Sequence, residues 1–219
     1  VRRMMQAAGI TGSFALGGIT GYIVEMLEQG LFKKIIDVQG FDLEAVRSIM
    51  QNPGHLEVGA DFYASPFNAG CAVNKLDAVI LGATEIDTSF NVNVLTGSDG
   101  LIMGGSGGHS DAAAGAKLTI IVANLLRSRL PIIVDKVITA TTPGETVDVL
   151  VTEYGIAVSP AKDDLRQVLI DKGMPVMDIH ELKAMAERIA GVPDKIQTGK
   201  RIVGVVEYRD GTVIDIVRQ

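Results

Sequence analysis

Tryptophan is absent from this 219-residue chain, cysteine occurs once and histidine three times. The single cysteine, Cys71, excludes an internal disulfide and fits a reducing compartment. It sits in Asn68-Ala69-Gly70-Cys71-Ala72-Val73 without a neighbour of metal-ligand type, so it reads as a small buried thiol. Three scattered histidines, His55, His109 and His180, give no ligand spacing, and no metal site is expected. Basic charge is also short: 20 Lys and Arg against 26 Asp and Glu leave a net charge of −6. A nucleic-acid footprint would be basic, so that class of partner is excluded from the expectation. The longest apolar stretch, Leu118 to Leu126, is too short to span a bilayer and contains Asn124. No signal peptide is visible. A cytoplasmic protein with no membrane contact is expected.

Aromatic residues make up only 5% of a chain that is 47% hydrophobic. The core must therefore be built of Ile, Val, Leu, Ala and Met, with close approaches at glycines. That composition suits an α/β fold, a parallel or mixed sheet covered by helices on both faces. Along the chain, Gly9 to Leu16 reads as a strand, Ile19 to Gln29 as a helix stopped by Gly30, and Lys33 to Val38 as a strand. Asp42 caps a helix over 43–51, ended by Asn52-Pro53-Gly54. Residues 55–70 read as irregular. Further strands are expected at 77–82, 118–123, 132–134, 147–151 and 175–177. Asp163 to Lys172 reads as a helix, and Asp178 to Glu181 as a capping box for another that runs to Ala190. Val92–Leu95 and Leu101–Met103 suggest a hairpin. The end of the chain, residues 200–219, reads as an antiparallel hairpin turning at Asp210-Gly211. The whole is expected to be one domain with that hairpin as an appendage.

Gly104-Gly105-Ser106-Gly107-Gly108-His109 is the most informative stretch. Four glycines in six residues let the backbone turn sharply and point several N–H groups at one anion or oxyanion. Gly100 to Met103 before it reads as a short buried strand. A helix follows, with Ser110 or Asp111 as its cap. The loop has neither the dinucleotide glycine spacing nor the Gly-Lys-Ser/Thr ending of a P-loop. The alternative is a tight turn packed on a neighbouring element. His109 closes the loop at a helix start, where the dipole favours neutral imidazole. His55 and His180, in turns, read as solvated or structural.

Two further segments place polar residues at strand ends, where open α/β sheets bind ligands. In Glu85-Ile86-Asp87 both carboxylates share one face, and Asn91 and Asn93 do likewise. Paired carboxylates suit acid–base chemistry; the alternative is a polar edge strand facing water. Glu153-Tyr154-Gly155, after the apolar run 147–151, reads either as a substrate-contact set or as a Glu that orders a turn.

In order, Gly104 to Asp111, Ala114 to Leu118, Pro131 to Val134, Thr141 to Gly144 and Val151 to Ala157 resemble acyl-CoA transferases of the acetyl-CoA hydrolase/transferase type. In particular they resemble the citrate lyase α-subunit family. The resemblance covers nearly the whole chain, including Gly12 to Gly18, Glu85 to Asn93 and the terminal hairpin. It implies a NagB/RpiA/CoA-transferase-like fold, a three-layer α/β/α sandwich with a mostly parallel sheet. Residues 1–219 would be the second of two tandem domains.

The implied activity is exchange of acetyl for citryl on the CoA-like phosphopantetheine thioester of an acyl carrier subunit. A separate lyase subunit then cleaves the citryl thioester. The implied partners are those two subunits, the chain's own first half, citrate and an acetyl thioester. No cofactor is expected to be bound by this chain itself. By the same resemblance Gly105, Ser106, Gly107, Gly108 and His109, with Glu85, are the catalytic set. Gly104, Asp87, Asn91, Asn93, Glu153, Tyr154 and Gly155 contact substrate or CoA. Relatives that form a covalent enzyme–CoA thioester place a Glu near the segment matching Gly12 to Leu16. That segment carries no carboxylate in this chain, which agrees with direct transfer through an anhydride and leaves Glu85 as the fallback nucleophile. Two alternatives remain: an acetyl-CoA hydrolase or short-chain carboxylate transferase, and a non-catalytic half that docks an acidic carrier through Arg127, Arg129 and Lys136.

Overall fold

Strands and helices alternate through the first part of the chain, and each helix ends at a residue suited to stop it. The computed structural model describes residues 1–194 and 196–219, which fall into two units, Val1–Asn74 and Lys75–Gln219. The first unit runs α1 (Arg2–Ala8), β1 (Ala15–Ile19), α2 (Gly21–Glu28), β2 (Ile35–Gly40), α3 (Leu43–Gln51), β3 (His55–Glu57) and α4 (Ala60–Ala64). Its three strands form a parallel sheet in the order β1-β2-β3. Asp42 caps α3 as expected, accepting from Ala45 N–H at 2.9 Å.

The strand expected at Gly9 begins later, at Ala15. Gly9 has φ +63° and closes α1 from a left-handed conformation, which ends a helix rather than opening a strand. Residues 55–70, expected to be irregular, contain β3 and α4. His55 is not solvated. It is buried, with Nδ1 2.8 Å from Ser48 Oγ and Nε2 3.1 Å from Asp37 Oδ2. Cys71 is buried.

The second unit contains β4 (Val79–Leu81), β5 (Glu85–Asp87), β6 (Val92–Asn93), α5 (His109–Gly115), β7 (Thr119–Val122), β8 (Leu126–Arg127), β9 (Leu130–Pro131) and β10 (Ile133–Val134). It continues with β11 (Val149–Val151), β12 (Ile156–Val158), α6 (Asp163–Asp171), α7 (Ile179–Ala190), β13 (Ile202–Glu207) and β14 (Val213–Arg218). Four strands form a sheet in the order β12-β11-β7-β4. In it β4, β7 and β11 are parallel, and β12 is antiparallel to β11. A second sheet has the order β10-β5-β6. β13 and β14 make the expected antiparallel hairpin, with Gly211 at φ +86° in its turn. The fold is thus a mixed α/β one, with parallel and antiparallel sheets.

The period of two along a strand decides which helix covers which residue. Ile121 and Leu150 pack in the main core with Ile179, Leu182 and Ala186 of α7. Val149 and Val151, on the opposite side of β11, pack with Ile120 and with Leu165 and Leu169 of α6. Full burial of a side chain such as Leu182 contributes about 2 kcal/mol. The capping box at α7 is formed: Asp178 accepts from His180 N–H and the Glu181 side chain from Asp178 N–H.

Three local expectations are corrected. Helix α5 starts at His109 with Gly108 as its cap and no side-chain capping bond, so neither Ser110 nor Asp111 is the cap. Gly100 to Met103 is not a buried strand. Leu101, Ile102 and Met103 are 67%, 61% and 56% exposed, joined to the chain ahead by one bridge, Thr96 to Ile102. β12, absent from the sequence reading, pairs along β11.

Candidate functional site

The carboxyl ends of β4, β7 and β11 lie side by side in a parallel sheet, the edge at which α/β folds bind ligands. Gly82 follows β4 there, and its carbonyl accepts from His109 Nε2 at 2.9 Å. The neutral ring's one proton is then on Nε2. Nδ1 accepts from the Thr142 hydroxyl, 2.7 Å away. Burial pushes the His109 pKa below its ordinary value, and the Gly82 carbonyl offsets part of that. The imidazole is neutral, held from both nitrogens, and its N–H is directed at the protein's own backbone.

His109 thereby pins one end of the glycine loop. Gly107 lies in the left-handed region at φ +51°, and a Cβ at Gly104, Gly105 or Gly107 would meet nothing within 4 Å. His109 N–H donates to Ser106 O at 3.1 Å. Among the described residues no protein acceptor faces the backbone N–H groups of Gly104, Gly105, Ser106, Gly107 or Gly108. The loop is an open set of donors rather than a turn packed on a neighbour.

Glu85 and Asp87 are buried, so the segment is not a water-facing edge. Their partners come from the antiparallel register of β5 and β6. Glu85 Oε2 accepts from Asn93 Nδ2 at 3.0 Å and from Ile138 N–H at 3.3 Å. Asn93 in turn binds the Thr96 hydroxyl, which lies 3.3 Å from Thr139 Oγ1. Glu85 also lines a cleft of about 400 Å³ with Lys136, Ile138, Lys183, Glu187 and Thr198. No residue of Gly104–His109 lines that cleft.

Asp87 is occupied differently. Its Oδ1 accepts from Ser89 and Asn91 N–H, both at 2.9 Å, and Oδ2 accepts from Asn91 Nδ2 at 3.1 Å. Asn91 Oδ1 accepts from Gly144 N–H at 2.9 Å. These bonds hold a turn in which buried Phe90 has φ +66°, a strained conformation for a bulky residue.

Glu153 follows β11, and its carboxylate accepts from Leu125 N–H at 2.8 Å, tying together the loops after β11 and β7. Tyr154 is exposed and Gly155 buried. A Cβ at Gly155 would press on Met177 Sδ at 2.7 Å. Arg127 and Arg129 are exposed at the β8–β9 turn, where Ser128 and Arg129 have φ +49° and +68°. Thr142, Gly144, Gly82 and Ile138 were not singled out by spacing, because each meets its partner across a long stretch of chain. Among the described residues no group of three or more His, Cys, Asp or Glu side chains is placed to hold a metal ion. Nor, among them, is any helix long and apolar enough to cross a membrane.

The family model for the citrate lyase alpha subunit (CitF) matches residues 1–219. The chain belongs to the citrate lyase alpha-subunit family. The citrate lyase alpha chain of Klebsiella pneumoniae is 54% identical over 215 residues, 98% of this chain and 42% of that one. The alpha chain of Escherichia coli (strain K12) is 50% identical over the same share of each. This chain thus spans 42% of the length of these two curated relatives. A solved structure assigned as the alpha subunit of citrate lyase from Streptococcus mutans, in complex with citrate, matches with a TM-score of 0.96 at 50% identity. It covers all of this chain and 43% of that one. RipA from Yersinia pestis, at 13% identity and a TM-score of 0.54 over 84% of this chain and 50% of its own, shares the fold alone.

In this member of the citrate lyase alpha-subunit family, the depressed pKa of His109 predicts a pH dependence of stability. Its depressed folded pKa means that the unfolded chain takes up a proton first as pH falls below about 6.5. The stability from the neutral ring is full above that value and is lost as pH falls towards the folded pKa. His109→Gln is expected to flatten this part of the profile. Urea midpoints near neutral pH and at about pH 5 check it; an unchanged slope in the variant would show that another group sets the dependence.

Proposed function

We propose that this chain is the second half of a citrate lyase α subunit and a transferase that exchanges acetyl for citryl on an acyl-carrier thioester. The match of all 219 residues to the family model carries this reading. The citrate named with the Streptococcus mutans relative supports the choice of acceptor. We read residues 1–219 as one CoA-transferase-like domain of the three-layer NagB/RpiA type, acting in the cytoplasm beside a lyase subunit and an acyl carrier subunit. The CoA-like thioester is substrate, and the chain holds no cofactor of its own.

The transfer runs in two balanced steps. A citrate carboxylate oxygen attacks the acetyl thioester carbon, and the carbonyl electrons move to oxygen. The tetrahedral oxyanion collapses to expel the thiolate and leaves an acetyl–citryl anhydride. The thiolate then attacks the citryl carbonyl, acetate departs, and the citryl thioester remains. The open N–H groups of Gly104 to Gly108 supply donors for the oxyanion, and such donors work best when fixed before the charge develops. His109 fixes them from one end. Glu85, anchored through Oε2 by Asn93 and Ile138, lines the adjoining cleft. Asp87 and Asn91 hold the β5–β6 turn, and Glu153, Tyr154 and Gly155 shape the end of β11.

Purified full-length subunit, given acetyl thioester with water, acetate or citrate as acceptor, tests the reading. Citryl thioester formed with release of acetate is the expected product. Free thiol with water alone would mark a hydrolase instead, and acetate as the sole effective acceptor would mark a monocarboxylate transferase. No turnover with any acceptor would leave a scaffold.

A further inference from the structure

Helix α5, which carries the glycine loop at its start, is poorly equipped to hold its own position. It has seven residues and no side-chain N-cap bond. Helices this short are unstable by themselves, because few backbone bonds offset the cost of nucleation. His109 ties its first turn to Gly82 and Thr142. Two polar contacts of the terminal hairpin bear on this anchorage, one at α5 itself and one beside Thr142.

The first is an ion pair. Arg209, just past the end of β13, has its Nε 3.4 Å from Asp111 Oδ1, with the two side chains only 16% and 20% exposed. Asp111 is in the first turn of α5, two residues after His109. The second is a charge-assisted hydrogen bond: Asp215 Oδ2 on β14 accepts from Ala140 N–H at 2.7 Å. Ala140 is partly buried between the buried Thr139, Thr141 and Thr142, and the Thr142 hydroxyl binds His109 Nδ1. One hairpin thus grips the helix to which His109 belongs and the segment that supplies its hydroxyl partner.

We propose that the β13–β14 hairpin is a positioning clamp for the glycine loop, with Arg209 acting through Asp111 and Asp215 acting through Ala140. The claim rests on the reading of that loop as the oxyanion donor set. Neither residue touches substrate; both set where the loop's N–H groups point. The chemistry of Asp111 supports a geometric role. Burial pushes its carboxyl pKa up, and Arg209 offsets only part of that. A charge placed where burial disfavours it is a poor source of stability and a good way to fix an orientation. The hairpin also needs its anchors: Ile202, Val203, Val205 and Val213 are all at least half exposed, and a two-stranded ribbon is marginal by itself.

The test is hydrogen exchange on the full-length subunit, with Arg209→Gln and Asp215→Ala made singly and together. Amides of residues 109–115 are expected to exchange about tenfold faster in the double variant, with those of α7 unchanged. The charge swap Asp111→Arg with Arg209→Asp should recover most of the protection. In acyl transfer, kcat is expected to fall about tenfold with KM for the thioester nearly constant. Unchanged protection at 109–115 overturns the clamp, as does an equal loss of protection in α7, which would mean general destabilisation. If the double variant fails to fold, Arg209→Lys decides, since a point charge without the planar fork should loosen 109–115 alone. Hydrogen exchange reads the clamp independently of catalysis. An unaltered subunit without acyl transfer would sink the functional reading while leaving this measurement to stand.

Discussion

Gly107→Val in the full-length subunit is expected to cut acyl exchange by at least about 100-fold, the loss that follows removal of a single oxyanion donor. The expectation follows from the backbone. Gly107 holds φ +51°, a region where a β-branched residue is a genuine outlier. A valine must either accept that strain or swing the peptide into an ordinary region, which re-aims the neighbouring N–H groups. No atom lies within 4 Å of where its Cβ would go, so the added β-carbon itself meets no neighbour. The left-handed penalty is of order 1–2 kcal/mol, which lowers Tm by only a few degrees in a unit of this size. Acyl exchange and thermal unfolding, measured on the same preparation, separate lost chemistry from lost fold. A folded variant with an ordinary exchange rate would remove the loop from the mechanism. Trapping with hydroxylamine adds a second criterion: direct transfer predicts no glutamyl thioester on the enzyme, and one found at Glu85 would replace it with a covalent path.

What could be read from the sequence was decided by distance along the chain. The capping box from Asp178 to Glu181, the Asp42 cap and the Asp210-Gly211 turn each lie within four residues, so the sequence displays their chemistry directly. Alternation placed Glu85 with Asp87 and Asn91 with Asn93. It did not show that an antiparallel register would pair Glu85 with Asn93, or that Asp87 would be saturated by the turn it closes. The bond from His109 to Thr142 spans 33 residues and that from Gly144 to Asn91 spans 53. No local pattern announces such pairs, because only the folded sheet brings them together. Leu101-Ile102-Met103 failed for a different reason. Three apolar residues in a row state a preference for burial, and the fold of this half leaves them exposed. Fold class was legible because composition and strand–helix alternation are averages over many residues. The supports of the candidate site were not, because each depends on one distant atom.

Gly144→Ala is expected to be the most destabilising small substitution in this half, costing about 3 kcal/mol or more, the upper range for overpacking. The added methyl would lie against the carbonyl oxygen of Ser89, well inside van der Waals contact, and 2.9 Å from both Asn91 N and Phe90 C. All three are backbone atoms, so no side chain can rotate aside. The turn they belong to is already strained at Phe90, whose ring is 2% exposed in the core. It stays in place because Asp87 accepts from the backbone on either side of Phe90 and Asn91 accepts from Gly144 N–H. A methyl at 144 pushes apart the two segments these bonds hold together. On one side of the break are Glu85 and Asn93; on the other, two residues from Gly144, is Thr142, the partner of His109. Loss of stability and loss of site geometry should therefore arrive together, with Tm down by roughly 6–12 °C and acyl exchange reduced even at temperatures where the protein remains folded. Gly82→Ala is the control. Its Cβ would meet nothing within 4 Å, and its carbonyl, the acceptor for His109, is unchanged, so its unfolding curve should overlay that of the unaltered subunit. If Gly144→Ala unfolds as Gly82→Ala does, the backbone contact between the β5–β6 turn and Gly144 is not what holds the two segments together.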